Sequence, residues 1–212
     1  MKIDIITLFP KIFKSPFSES IIKRAQEKEL IKIKVHDLRK WTKDKHKTVD
    51  DRPYGGGAGM LLMIDPVYKA LKDLRKKNSK VILLTPKGKT YNQNLAQNFS
   101  KEKHLILIAG HYEGFDQRIH DYLADKEISV GNYILTGGEL PTMVLVDSIV
   151  RLIPDVIDPE SLKDESFSIT KNIEYPQYTR PENFKGWKVP KILLSGNHAE
   201  IEKWKKENSK DM

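Results

Sequence analysis

An α/β fold built on a mostly parallel sheet is what this sequence predicts. Short apolar runs alternate with stretches of helical periodicity along the first three quarters of the chain. Those runs are apolar at successive positions, as in strands covered on both faces. A long apolar helix closes the pattern, and beyond Pro154 the composition turns acidic and polar.

The first strand, residues 3–9, is stopped by Pro10. Residues 18–30 read as a helix with Ser18 as its N-cap. Residues 31–35 alternate apolar side chains with lysine, which suits a strand with one wet face. Residues 66–77 follow as a helix capped by Asp65, with Pro66 at its first position. Residues 81–84 form a buried strand ending at Thr85-Pro86, and residues 92–99 a short helix. Residues 105–109 are the next buried strand, ending at Gly110; residues 115–123 are helical and 128–130 a short strand. Residues 141–153 form the long apolar helix. Residues 155–168, with Pro159 among them, read as a linker. The connection itself is placed at residues 158–165, between a main domain of residues 1–157 and a small helical domain of residues 166–212. The last helix of that domain runs from about His198 to Asn208 and carries Trp204 and several lysines.

The chain has 212 residues, enough for one large domain with a small satellite. No apolar run approaches the ~20 residues of a membrane span, and the start lacks a secretory pattern, so a cytoplasmic protein is expected. Cysteine is absent, which excludes disulfides, thiolate nucleophiles and Cys metal sites. The net charge of +8 and a pI near 9.4 favour a polyanionic partner through counterion release. The lysine-rich segments 43–47, 72–80 and 203–210 are candidate phosphate contacts, or solvated faces.

In a parallel sheet ligands gather at the carboxyl ends of the strands. Three loops sit there: Thr85-Pro86-Lys87-Gly88, Gly110-His111-Tyr112-Glu113-Gly114, and residues 131–141. In the second, two glycines bracket a ring and a carboxylate directly after a buried strand. In the third, glycines at three places and small apolar residues between them suit an adenine-sized pocket read by main-chain groups. Elsewhere, four glycines among residues 55–59 give either a flexible loop or a close backbone approach to a ligand. They form neither a Walker loop nor a dinucleotide fingerprint. On the long helix, Asp147 and Arg151 stand at i, i+4, an ordinary ion-pair spacing. Arg151 also lies at the helix end nearest Asp164 and Glu165, the pattern of an acid–base site with an anion stabiliser.

Four long motifs, in order, resemble the bacterial tRNA (guanine-N(1)-)-methyltransferase family of the TrmD type. They are Asp44-Lys45-His46-Lys47-Thr48-Val49-Asp50-Asp51-Arg52-Pro53-Tyr54-Gly55-Gly56-Gly57, Gly110-His111-Tyr112-Glu113-Gly114, Gly131-Asn132-Tyr133-Ile134-Leu135-Thr136-Gly137-Gly138-Glu139-Leu140-Pro141 and Tyr175-Pro176-Gln177-Tyr178-Thr179-Arg180-Pro181. The likeness runs from the first strand to Trp204. It implies a SPOUT-class enzyme that uses S-adenosylmethionine, with a trefoil knot late in the main domain. Knots run against ordinary chain topology, and only the resemblance implies this one. It further implies a homodimer with sites at the subunit interface and tRNA as the substrate, methylated at ring N(1) of the guanosine just 3′ of the anticodon.

By the same resemblance, the cofactor pocket is formed by Leu84, Thr85 and Pro86 from the first loop. Gly110, Tyr112, Glu113 and Gly114 come from the second. Ser129, Val130, Gly131, Asn132, Tyr133, Ile134, Leu135, Gly137, Gly138 and Pro141 come from the third. The catalytic arginine falls on Arg151. The catalytic carboxylate falls just before Ser166-Phe167, where Glu165 replaces the family's Asp and Asp164 stands one step earlier; Glu165 is favoured. Asn132 stands where the family often has Asp, one negative charge fewer beside the cofactor's sulfonium. Mg2+ is linked to the family, with Glu113 as its candidate contact. The chain ends soon after Trp204, where members usually continue, so shortened terminal RNA-binding helices are expected. Two other readings compete. A non-catalytic basic RNA-binding protein would use charge and the last helix alone. A phosphotransferase would need a Lys-Ser/Thr after its glycine loop, which is missing.

Overall fold

A computed structural model describes residues 1–163, 165–167 and 173–210. The chain divides into two compact units, Met1–Ile157 and Asp158–Met212.

The first unit contains β1 (Lys2–Thr7), a 3-10 turn (Pro10–Phe13), α1 (Lys14–Phe17), α2 (Ser20–Glu27), β2 (Lys32–Asp37) and a second 3-10 turn (Leu38–Trp41). There follow β3 (Asp50–Asp51), β4 (Leu61–Leu62), α3 (Ile64–Leu74), β5 (Ser79–Thr90), α4 (Gln93–Phe99), β6 (His104–Ala109), α5 (Gln117–Tyr122), β7 (Lys126–Ser129) and α6 (Glu139–Val150). β2, β1, β6, β5 and β7 lie in that order in one sheet, parallel throughout, and β3 pairs with β4 in a separate short ribbon.

Strand side chains alternate between faces, and both faces are covered. On one face Ile3, Ile5, Ile82, Leu84, Leu105 and Leu107 pack with Phe13, Phe17, Ile22, Phe99, Leu145 and Ile149 from the helices. On the other, Ile6, Val81, Leu83, Ile106 and Ile108 meet Val67, Ala70 and Leu71 of α3 and Ile119 of α5. This double covering is why β6 is buried at all six positions and why its sequence shows no polar alternation.

One charged group lies inside the sheet. The Asp4 side chain is fully buried and accepts hydrogen bonds from Lys2 Nζ (2.5 Å) and from Nε2 of His36 and His104 (2.8 Å each). Burial by itself raises this carboxyl's pKa. The bonds from His36, Lys2 and His104 outweigh burial and hold it well below the usual carboxylate range.

Several element bounds differ from the sequence expectations. The helix expected from residue 18 starts at Ser20, because the Ser18 hydroxyl donates to Lys14 O (2.6 Å) and closes the preceding turn. α3 starts at Ile64 with extended Met63 before it, and Asp65 pairs with Lys69 Nζ (2.6 Å) instead of capping. β5 does not stop at Thr85. Its pairing with β7 shifts register between Leu84 and Lys89 and resumes, so residues 85–88 bow out as a bulge at Pro86, which has no N–H for the ladder. α6 starts and ends earlier than residues 141–153, with Arg151 as its C-cap.

The second unit contains α7 (Glu160–Lys163), β8 (Asn183–Phe184), β9 (Trp187–Lys188), a 3-10 turn (Lys191–Leu194) and α8 (His198–Asn208). α7 stands where residues 158–165 were expected to be linker, with Asp158 Oδ1 accepting from Glu160 N (2.9 Å) at its start. The β8–β9 hairpin was not foreseen. None of the described residues in this unit is fully buried. Tyr175 packs edge-on to Trp204, with Lys205 over the Tyr175 ring.

Candidate active site

The bulge in β5 and the loops after β6 and β7 leave the carboxyl end of three adjacent strands. Together they enclose a cavity of about 530 Å3, a size typical of small-molecule sites. The wall includes Leu84, Thr85 and Pro86 from the bulge, Gly110, Tyr112, Glu113 and Gly114 from the second loop, and Ser129, Val130, Gly131, Tyr133, Ile134, Leu135, Gly137, Gly138 and Pro141 from the third. Every sequence-selected cavity residue is present except Asn132. The Tyr133 ring folds back over Gly131, its hydroxyl donating to Val130 O (3.3 Å), and leaves Asn132 at the exposed apex.

Main-chain proximity sets the geometry. Gly138 N donates to Gly110 O at 2.6 Å, so the third loop lies directly on the second. A methyl on Gly138 would stand 2.6 Å from Gly110 N and 2.9 Å from Ala109 Cα. The second loop turns sharply: Gly114 N donates to His111 O (3.2 Å), with Tyr112 at φ +58° and Gly114 at +119°. The third loop is tied by Ser129 Oγ, which donates to Gly131 O (2.9 Å).

Behind the wall lies a polar group that the sequence reading missed. Glu139, in the first turn of α6, is buried and accepts from Thr7 Oγ1 (2.8 Å) at the end of β1. Its other oxygen stands 3.7 Å from Nδ1 of His111, a buried nitrogen without a hydrogen-bond partner. The His111 ring is held edge-on by Phe9 and Tyr112, at 4.8 and 5.2 Å between centroids. A methyl at 137 would run into both Glu139 Oε2 and His111 Nδ1, so one of these side chains would have to shift to admit it.

His111, Lys87 and Thr136, which lie in the three candidate loops without having been named as pocket residues, also belong to the cavity wall, as do Leu61, Phe115, Gln117, His120 and Ile128. The reading by loop thus includes Lys87, His111 and Thr136, and the residue-by-residue carry-over from the family leaves them out. Phe115 and Ile128 adjoin the named residues in sequence, while Leu61, Gln117 and His120 are brought to the wall by folding. The glycine segment contributes at its far end. Gly59 lies against the Glu113 carboxylate, Glu113 N donates to Met60 O (3.1 Å), and Leu62 N donates to Gly114 O (2.9 Å). Gly55 and Gly56 have open space around them.

Arg151 is half-buried at the end of α6 opposite the cavity. Pro141 to Arg151 is ten residues, about 15 Å of helix, too far for this arginine to reach the cavity of its own chain. Glu165 is half-buried in the second unit, and Asp164 lies outside the described residues. Among the described residues no three His, Asp or Glu side chains are grouped closely enough to hold a metal ion. An adenosyl compound fits the cavity better: its walls are largely apolar, and glycine main chain supplies the donors and acceptors for a ring edge.

Comparison with known proteins matches the whole chain, residues 1–212, to the family model described as tRNA (Guanine-1)-methyltransferase TrmD. A tRNA (guanine-N(1)-)-methyltransferase from Dictyoglomus turgidum is 54% identical over 210 residues, covering 99% of this chain and 85% of that protein. Proteins of the same name from Carboxydothermus hydrogenoformans and Geobacillus kaustophilus are 51% and 54% identical, each over 99% of this chain and 83% and 86% of their own length.

Proposed function

The chain belongs to the tRNA (Guanine-1)-methyltransferase TrmD family, and from that membership we propose that it methylates ring N(1) of the guanosine just 3′ of the anticodon in tRNA, using S-adenosylmethionine, in the cytoplasm. The observation that carries the cofactor assignment is the convergence of three strand-end loops on one cavity. Bound there, the cofactor supplies an electrophilic methyl group. The protein's own residues do the rest. Main-chain groups of residues 110 and 129–138 orient the adenosyl moiety, and the Tyr133-to-Leu135 apolar stretch excludes water. Guanine N(1) carries a proton and becomes a nucleophile only when that proton leaves. Glu165, or Asp164 beside it, takes it, a step that typically contributes ~10²–10⁴-fold. Arg151 holds the carbonyl oxygen onto which the negative charge spreads, through a charge-assisted hydrogen bond. The target base must leave its stack to be reached. No step is assigned to Mg2+.

We further propose a homodimer, a trefoil knot through the three loops, and RNA binding by the second unit. Two features support the dimer. Arg151 is about 15 Å along α6 from the cavity of its own chain, so a second copy is needed to bring it to one. The first two turns of the α6 face away from the core are apolar and exposed, at Leu140 (55%) and Val144 (50%), with Asp147 exposed beyond them, and an exposed apolar patch of this kind suits a surface covered by another subunit. No helix among the described residues is long and apolar enough to cross a membrane. Labelled S-adenosylmethionine and a tRNA with guanosine 3′ of the anticodon should yield 1-methylguanosine. Arg151→Ala should abolish turnover and leave calorimetric cofactor binding intact. Absence of product with the unaltered protein, or normal turnover by the variant, would overturn the assignment.

A further inference from the structure

Resting on the tRNA reading above, we propose that Phe184 and Trp187 form a stacking platform for unpaired bases of the RNA. The two residues are directly opposed across the β8–β9 hairpin, so both rings leave on the same face. Their centroids are 5.9 Å apart at 52°, and they are 51% and 74% exposed. A two-stranded hairpin of this size is marginal unless its aromatic side chains are buried. Here they are not, because residues 180–188 are exposed without a break. The hairpin is nonetheless built to present them. Lys185 at φ +54° and Gly186 at +91° make the left-handed pair of a tight two-residue turn, and Gly186 N donates to Asn183 Oδ1 (2.9 Å). The same turn places Lys185 Nζ 5.6 Å above the Phe184 ring. Along the sequence, residues 180–191 carry Arg180, Lys185, Lys188 and Lys191, four cations against the single carboxylate of Glu182, and strand alternation turns Lys188 to the face opposite the rings. Exposed π-faces with Lys185 over one of them, in a cation-rich segment, suit a polyanion with unstacked bases, which every base can satisfy through its own face. An apolar protein surface would leave the cations without a purpose.

The test uses the full chain, a tRNA carrying the target guanosine, and a short single-stranded RNA oligonucleotide. Trp187→Ala and Phe184→Ala should each weaken RNA binding on the order of tenfold, with Trp187→Phe retaining most of the affinity. Because no charge is removed, the slope of log Kd against log salt should stay as in the unaltered protein. Lys185→Ala and Lys188→Ala should make that slope shallower. Binding of S-adenosylmethionine and the thermal melt should not change. RNA should quench a fraction of the tryptophan emission that is missing from Trp187→Phe. Unchanged affinity in both alanine variants, or no such quenching by the oligonucleotide, overturns the platform. A shift of Trp187→Ala to a smaller species in sedimentation would give the surface to a second copy and also overturn it. Failure of the enzymatic reading would look different: no methylated tRNA from the unaltered protein, with the oligonucleotide measurement still deciding the platform.

Discussion

Gly138 is the point at which a single methyl group tests the architecture of the cavity. Its backbone (φ −80°, ψ 0°) is open to any residue, so Gly138→Ala carries no conformational penalty of its own. The added carbon would stand 2.6 Å from Gly110 N and 2.9 Å from Ala109 Cα, against a comfortable separation of about 3.5–4 Å. Some part must move by about 1 Å. The atoms met are main chain at the end of a buried strand, so the third loop has to give way. Overpacking of this kind costs about 1–3 kcal/mol. If the loop stays in place, the strain lowers the melting temperature by roughly 2–4 °C per kcal/mol. If the loop lifts, the 2.6 Å Gly138–Gly110 hydrogen bond is lost and the cofactor must close the loop again. Its Kd then rises by up to roughly 5- to 150-fold, at 1.4 kcal/mol per tenfold. Scanning calorimetry and isothermal titration with S-adenosylmethionine measure the two shares. A variant with both quantities unchanged would refute the reasoning, because the strain would then be nowhere.

Asp4→Asn should destabilise the first unit by about 3–5 kcal/mol, since two histidines and a lysine lose a buried carboxylate; urea titration reads this. The Asp4 carboxyl is depressed in the folded chain, so its stabilisation is fully present above the ordinary carboxylate value near 4 and is lost as pH falls below it. The unaltered protein should weaken through that range more steeply than the variant in melts from pH 7 to pH 3. Thr7→Val should cost about 1–3 kcal/mol by leaving a Glu139 oxygen buried without its donor, and chemical denaturation measures it.

Legibility in the sequence followed how local each determinant is. β6 was readable because its residues 105–109 are all apolar, as double covering of a strand permits. α8 was readable because Asn197 caps it through Glu200 N and the helical pattern runs unbroken to Asn208. Ser18 and Asp65 misled because a hydroxyl or carboxylate has several local partners, and the sequence does not say whether it bonds forwards as a cap or elsewhere. The β8–β9 hairpin was too short for periodicity; its one signal was Lys185-Gly186 between two aromatic residues. At the site, the three loops could be found because each follows an apolar strand and carries glycine. The Thr7, Glu139 and His111 grouping could not, because 132 residues separate Thr7 from Glu139 and only the sheet brings them together.

α6 also acts as a spacer. Its first turn is locked to the cavity through Gly138 and Glu139, its inner face is fixed in the core at Leu145, Val146 and Ile149, and Arg151 is carried at its tip. The position of that guanidinium is thus set by counting residues along a rigid rod. One inserted residue would swing it by about 100° and advance it by 1.5 Å. Adjustments to the arginine's placement are confined to changes of neighbouring side chains, because the length of the rod offers no gradual ones.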